Sequence, residues 1–292
     1  MFSNTAPRRA RRWLPATVVA SLAVGLPGAA PASAAPVALV RCPAQNLQTA
    51  INAAAPGSTV LVTGTCTGNF NVIKHLTLIG LGGAVLDGNH TGTTVTVASG
   101  VRAQLTNLTI THGNGPGNGG GGVLNSGTLT LTRSTVSDNT TMGNGGGIYN
   151  NFGSTVTLTS SSVSANTTPN GFAAGIYSNG TASLTNSTVS GNTAFEGAGG
   201  IANIGANADV LAVLVLTRSQ VRDNTAGGQG GGILNIEGTA RLTSSAVTGN
   251  RAGAGGGIFK VGDGSVVLTR SRVSGNTPDN CEPPGSVPGC TG

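Results

Sequence analysis

At 292 residues the chain could hold two average domains, but 8% charged residues, 3% aromatics and 49 glycines set it apart from an ordinary globular sequence. Its 38% hydrophobic content excludes the low-hydrophobicity, high-charge class of disordered chains, and glycine without a three-residue period excludes collagen. The formal charge of +6 falls to about +2 once Arg8, Arg9, Arg11 and Arg12 are set aside, and no aromatic-basic interleaving occurs, so no nucleic-acid partner is expected.

Those four arginines open a positive leader. Trp13 to Ala30 is apolar, and Ala32-Ser33-Ala34 fits a cleavage site, which predicts a signal peptide over residues 1–34. Pro15, Pro27 and the short apolar run argue against a spanning helix, so no stable membrane insertion is expected. The Arg11-Arg12 pair leaves the export route open between the general secretory and twin-arginine systems.

Residues 35–57 read as a cap. Leu47, Ala50, Ile51 and Ala54 share one helical face, with Pro43 at a helix start and Pro56-Gly57 as the stop. Val72 to Ile79, Ala84 to Asp87 and Thr93 to Val97 read as strands.

From there the chain repeats. Gly120-Gly121-Gly122-Val123-Leu124-Asn125 returns around Ile148, Ile176, Ile201, Ile233 and Ile258, at spacings of 25, 28, 25, 32 and 25. A second word starts at Leu131 and recurs at Leu158, Leu184, Leu216, Leu242 and Leu268. A third carries Asn139, Asn166, Asn192, Asn224, Asn250 and Asn276. Each repeat holds three short alternating segments separated by Gly, Asn or Ser. Segments that short bury nothing alone, so they must stack on their copies about 4.8 Å apart.

The predicted fold class is therefore all-β: a single right-handed parallel β-helix of about nine coils over residues 58–277, with a short N-terminal capping helix and a Pro/Gly tail over 278–292. Val123 with its copies, Leu131 with its copies, and Val136 with Val163, Val189, Val221, Val247 and Val273 are expected to face inward. The Ser134 file is expected there too, and the Asn file at a bend. Glycines are expected to supply positive φ at the corners, and the tail is expected to be a loop.

The cysteines are Cys42, Cys66, Cys281 and Cys290. Export makes disulfides reasonable. Three pairings exist, and proximity favours Cys42–Cys66 and Cys281–Cys290. Nothing with metal-ligand spacing stands beside them, and no cofactor motif occurs.

Leu47 to Val62, Leu76-Thr-Leu-Ile-Gly and Val85-Leu-Asp-Gly-Asn resemble the opening coils of pectin-lyase-like right-handed β-helix proteins. The Gly-Gly-Gly-Ile-x-Asn words resemble the GGA(I/L/V) repeats of bacterial polymorphic outer-membrane proteins. The companion Phe-x-x-Asn word is replaced by Ser-x-Asn-Thr-like copies, and no run of ten-residue barrel strands follows, so display through an autotransporter barrel is not expected. The resemblance covers about residues 42–280 and implies the fold. The fold itself hosts lyases, hydrolases and adhesins.

Nine acidic residues leave few places for chemistry. His112 and Asp138 lie two residues past inward positions on adjacent coils, so a base and its orienting carboxylate could stack there. Asp87 reads as a turn residue. Asp209, Glu237 and Asp263 follow the Gly-Gly-Ile strand on successive coils, near Lys260 and Arg241, as ligand-binding candidates. Tyr149 and Tyr177 stand outward on neighbouring coils, a position repeated by Phe259, and aromatics in file can stack on sugar rings. The reading is a secreted, monomeric, non-catalytic solenoid at the cell surface or outside the cell, which binds polysaccharide or a cell surface. The alternative is a polysaccharide lyase or glycoside hydrolase.

Overall fold

The computed structural model describes Met1 and residues 37–117, 119–205 and 212–291; the leader expected over residues 1–34 lies outside them. From residue 37 onward the described residues form a right-handed parallel β-solenoid of about nine turns with one short helix. One coil shows the plan. Val123–Asn125 is followed by Thr128–Thr132, Thr135–Ser137 and Thr140–Thr141, and the chain then loops to Ile148–Asn150 on the next coil. In Thr128-Leu-Thr-Leu-Thr the leucines are fully buried and the threonines outward, the period-2 pattern of a half-buried strand.

Every strand pairs in parallel with its copy one coil away. Val123, Ile148, Ile176, Ile201, Ile233 and Ile258 are successive register partners, all at 0% exposure. Leu105 to Leu242 form a second interior file and Ile110 to Val247 a third. Only their last members, Leu268 and Val273, are partly buried, because they lie on the last of the stacked coils described.

Polar files run through the same interior. The Asn139 file is buried, and each side-chain amide donates to the next coil's Oδ1, as from Asn166 Nδ2 to Asn192 at 2.9 Å and from Asn192 Nδ2 to Asn224 at 2.8 Å. Ser134, Ser161, Ser187, Ser219 and Ser245 each accept at Oγ a backbone N–H from the preceding coil. A second amide file, not expected from the repeat words, runs through the same interior. Asn125 donates to Asn150 at 2.7 Å, Asn150 to Ser178, and Asn203 to Asn235. Stacked amides suit a solenoid because each is donor and acceptor at once; where Ser178 takes the place of an amide, Oδ1 of its register partner Asn203 is buried without a hydrogen-bond partner.

The corners depart from expectation. Between the five- and three-residue strands, the left-handed position is held by Asn107, Arg133, Ser160, Asn186, Arg218, Ser244 and Arg270, with no glycine among them. Glycine does serve at the next corner, as Gly191, Gly249 and Gly275. The last glycine of each Gly-Gly-Ile word has an ordinary φ and is kept for another reason. A Cβ on Gly147 would lie 2.7 Å from the Gly175 carbonyl oxygen and 2.9 Å from both Val163 Cγ1 and Asn166 Nδ2. The glycine file is the space into which the valine and asparagine files fit.

Both ends are capped. The helix is Leu47–Ala53, shorter than Pro43 suggested, because Asn46 Oδ1 accepts the Thr49 N–H and fixes the first turn there. Leu47 and Ile51 are buried against the first coils, and the Lys74 ammonium donates to the carbonyls of Asn52 and Ala54 at the helix's end. Residues 35–57 are more than a cap, since Val37–Arg41 pairs with Thr59 to Thr63. The tail likewise is no mere loop. Cys281–Glu282 pairs with Ile258 and Phe259, Asn280 Oδ1 accepts from Asn276 Nδ2 to end the ladder, and Val287 is buried. The disulfides are Cys42–Cys66 and Cys281–Cys290, one at each end. They indicate an oxidising, extracellular environment. No described helix is long and apolar enough to cross a membrane.

Candidate functional site

His112 sits at the left-handed corner after the strand Thr109–Thr111, at φ 51°. Asp138 holds the same corner one coil on, and the backbones do meet: the His112 N–H donates to the Asp138 carbonyl at 3.2 Å. The side chains do not form the expected pair. The His112 ring turns to the preceding coil, where Nδ1 lies 3.1 Å from Asp87 Oδ2. His90 joins them, its ring centroid 4.9 Å from that of His112, and its N–H donates to the His112 carbonyl. Asp87 is therefore both the turn residue expected, accepting the Asn89 N–H at 2.8 Å, and the carboxylate that orients His112. The signal was present in the sequence: Asp87 lies 25 residues before His112, one period, as Asp138 lies 26 after it.

Burial raises the Asp87 pKa, but the Asn89 N–H and the His112 and His90 imidazoles outweigh it, and the net shift is downward. The folded carboxyl thus ionises below the unfolded one, near 3.9. Its stabilising contribution is present above that value and lost as pH falls through the lower folded value. Thermal melts of wild type and Asp87→Asn should accordingly differ at about pH 5, and the difference should shrink as pH falls below the range in which an unfolded carboxyl titrates. A gap that stays constant across that range would mean the carboxylate charge contributes nothing. Side-chain exposures of 43% for His112 and 23% for Asp87 leave the pair within reach of a solute.

Glu237 and Asp263 are neighbours on successive coils, with the Asp263 N–H donating to Glu237 Oε2 at 3.1 Å, while the Lys260 ammonium donates to the Gly262 carbonyl. Asp209 lies outside the described residues. Among the described residues, no three His, Cys, Asp or Glu side chains gather in a way that could hold a metal ion.

Tyr149 and Tyr177 are register partners, half-buried, with ring centroids 5.0 Å apart and planes 18° apart. Their file passes from Leu124 through the tyrosines to Ala202, Leu234 and Phe259. Ala202 and Leu234 are buried in one cluster with Ala173 and Ala198 of the glycine-rich loops, and Tyr177 and Phe259 pack half-buried against it. Burial, then the neighbouring Tyr177, holds the Tyr149 phenol above its ordinary pKa, and it stays a neutral hydrogen-bonding group at physiological pH. A groove of about 490 Å³, which no repeated word marks, lies beside the short strands Thr167–Thr168 and Thr193–Ala194, where Phe195 stands 67% exposed.

Fold and ends define a class, the disulfide-capped parallel β-solenoid. No protein-family model matches the chain, and no curated protein matches it. Among solved structures it is similar to an alginate lyase from Paenibacillus sp. str. FPU-7, at 14% identity over 82% of this chain and 96% of that one, with a TM-score of 0.34.

Proposed function

We propose that this chain is an extracellular β-solenoid that binds polysaccharide, with Tyr149 and Tyr177 in the contact surface. The observation that carries the reading is the tyrosine stack itself: two rings one coil apart, half-exposed, on a rigid strand face of a charge-poor protein. Such rings offer apolar edges and phenol hydroxyls to a sugar with little conformational freedom to lose. Affinity electrophoresis through gels containing alginate, pectate, xylan or cell-wall glycan should retard the wild type. The double variant Tyr149→Ala/Tyr177→Ala should migrate faster in the gel that retards wild type. A wild type that no gel retards would end the reading.

A second reading, a polysaccharide lyase, is favoured by the Asp87–His112–His90 cluster. With Nδ1–H directed at Asp87, Nε2 of His112 is the free base. It would take the C5 proton of a uronate, the C–H electrons would form the C4–C5 double bond, and the C4–O bond would break. The leaving oxygen would take its proton from solvent. Incubation with polyuronates would then release unsaturated ends that absorb in the ultraviolet, and His112→Ala should slow that release by about 10²- to 10⁴-fold. Unchanged release in the variant would clear His112, and no release from the wild type would remove this reading while leaving the binding one intact.

A further inference from the structure

We infer that the groove beside Phe195 is a separate binding site for a neutral, uncharged polysaccharide chain. The inference rests on the polysaccharide-binding reading and narrows it to a ligand class at a site independent of the tyrosines.

The groove is built from the two-residue strands that follow the asparagine ladder. Thr140, Thr167, Thr193 and Thr225 are successive register partners on that face, and the last three are exposed. They form a file of hydroxyls that rises about 4.8 Å per coil. Beside it stand Pro169, Ala194 and Phe195. Phe195 is among the most exposed large hydrophobic side chains described, at 67%.

Its backbone is nonetheless held on both sides. The Phe195 N–H donates to the Thr168 carbonyl at 3.0 Å, and the Gly227 N–H donates to the Ala194 carbonyl at 3.0 Å. The loop beyond is fixed by packing, since the Phe172 ring lies where a Cβ of Gly197 would be. An exposed aromatic on an ordered backbone costs hydration without burying anything, and it costs little further entropy when a ligand arrives.

The chemistry of the groove selects its occupant. An aromatic face and apolar wall fit the C–H face of a pyranose, and a row of hydroxyls fits its equatorial edge. None of the residues lining the groove is charged. Glu196, exposed next to Phe195, lies outside the groove lining. Arg251 continues the threonine file one coil on, outside the groove lining. An acidic polysaccharide would have no counter-charge in the groove itself, whereas a glucan, xylan or chitin chain needs none.

The test is a binding panel with purified full-length protein. Soluble β-glucan, xylan and chitin oligosaccharides are compared with alginate and pectate by calorimetry, for wild type, Phe195→Ala, Phe195→Trp and Tyr149→Ala/Tyr177→Ala. We expect a neutral glycan to bind the wild type, Phe195→Ala to weaken it about tenfold, and Phe195→Trp to retain it. The tyrosine double variant should keep the Phe195-dependent binding. Equal binding by wild type and Phe195→Ala, or binding of acidic chains alone, would overturn this site while sparing the broader reading. A wild type that binds no glycan would overturn both. A wild-type dimer that Phe195→Ala converts to monomer would show that a second copy of the chain covers the groove, and would also overturn the proposal.

Discussion

Replacing Asn192 by alanine should lower the unfolding free energy by about 3–6 kcal/mol, among the largest effects available to a single polar substitution in this chain. Asn192 is fully buried and sits mid-ladder. Its Oδ1 accepts both the Asn166 N–H at 3.0 Å and the Asn166 Nδ2 at 2.9 Å. Its Nδ2 donates to Asn224 Oδ1 at 2.8 Å and to the Val163 carbonyl at 3.1 Å. Alanine leaves the Asn166 backbone N–H and one hydrogen of the Asn166 side-chain amide without an acceptor, and takes a donor from the Val163 and Ser190 carbonyls, in an interior walled by valine and leucine. Each orphaned group costs about 1–3 kcal/mol, while each intact bond contributes only about 1 net, so the orphans decide the outcome. Asn192→Asp should be no milder, because a carboxylate still accepts from Asn166 but faces Asn224 Oδ1 and the Val163 carbonyl with no donor. Denaturant titration with the two-state assumption checked by two probes measures both variants. A loss below about 1 kcal/mol for Asn192→Ala would mean that water enters and satisfies the gap.

The second large effect is expected from Gly147→Ala, and two principles oppose each other there. Gly147 has an ordinary φ, so alanine should be favoured by about 0.4–1 kcal/mol through the unfolded chain's entropy. Against that, the new methyl would meet the Gly175 carbonyl oxygen at 2.7 Å. That oxygen cannot withdraw freely, because it accepts the Ile148 N–H at 3.0 Å and so belongs to the ladder joining the two coils. Overpacking against fixed backbone costs about 1–3 kcal/mol or more, which reverses the entropic sign. The variant should be destabilised by about 2 kcal/mol, whereas Thr157→Ala on the outer face should change stability by no more than about 0.5 kcal/mol. If Gly147→Ala melted above wild type, the glycine file would not be a packing requirement.

Repetition made most of the scaffold legible. A side chain whose copies recur every coil must occupy one file, and alternation within each word tells which files face inward; Ile148, Ile176 and Ile201 follow from that alone. The cysteine pairing was legible because short loops at the two ends left one pairing nearer than the others. The His112 site was legible only in part. Its file was correct, but a file has a neighbour on each side, and spacing cannot say that the imidazole turns to Asp87 rather than Asp138. The left-handed backbone at His112 and the turn at Asp87–Asn89 decide that. Phe195 was hidden for the opposite reason: it occurs once, in a loop between words, so no periodic signal marked it.

The glycines divide the two kinds of information most plainly. Composition and period show that a glycine must end each Gly-Gly-Ile word's lead, yet they give the same letter for a backbone that needs positive φ and one that needs room. Gly145 needs the first, at φ 71°, and Gly147, two residues on, needs the second. By itself, then, the sequence determined the solenoid, its inward files and its clamped ends, because those follow from local alternation and a repeat near 25 residues. Only the tertiary structure decided which coil each polar side chain leans toward and where an aromatic is left uncovered, because both depend on distances between chain segments that no single repeat contains.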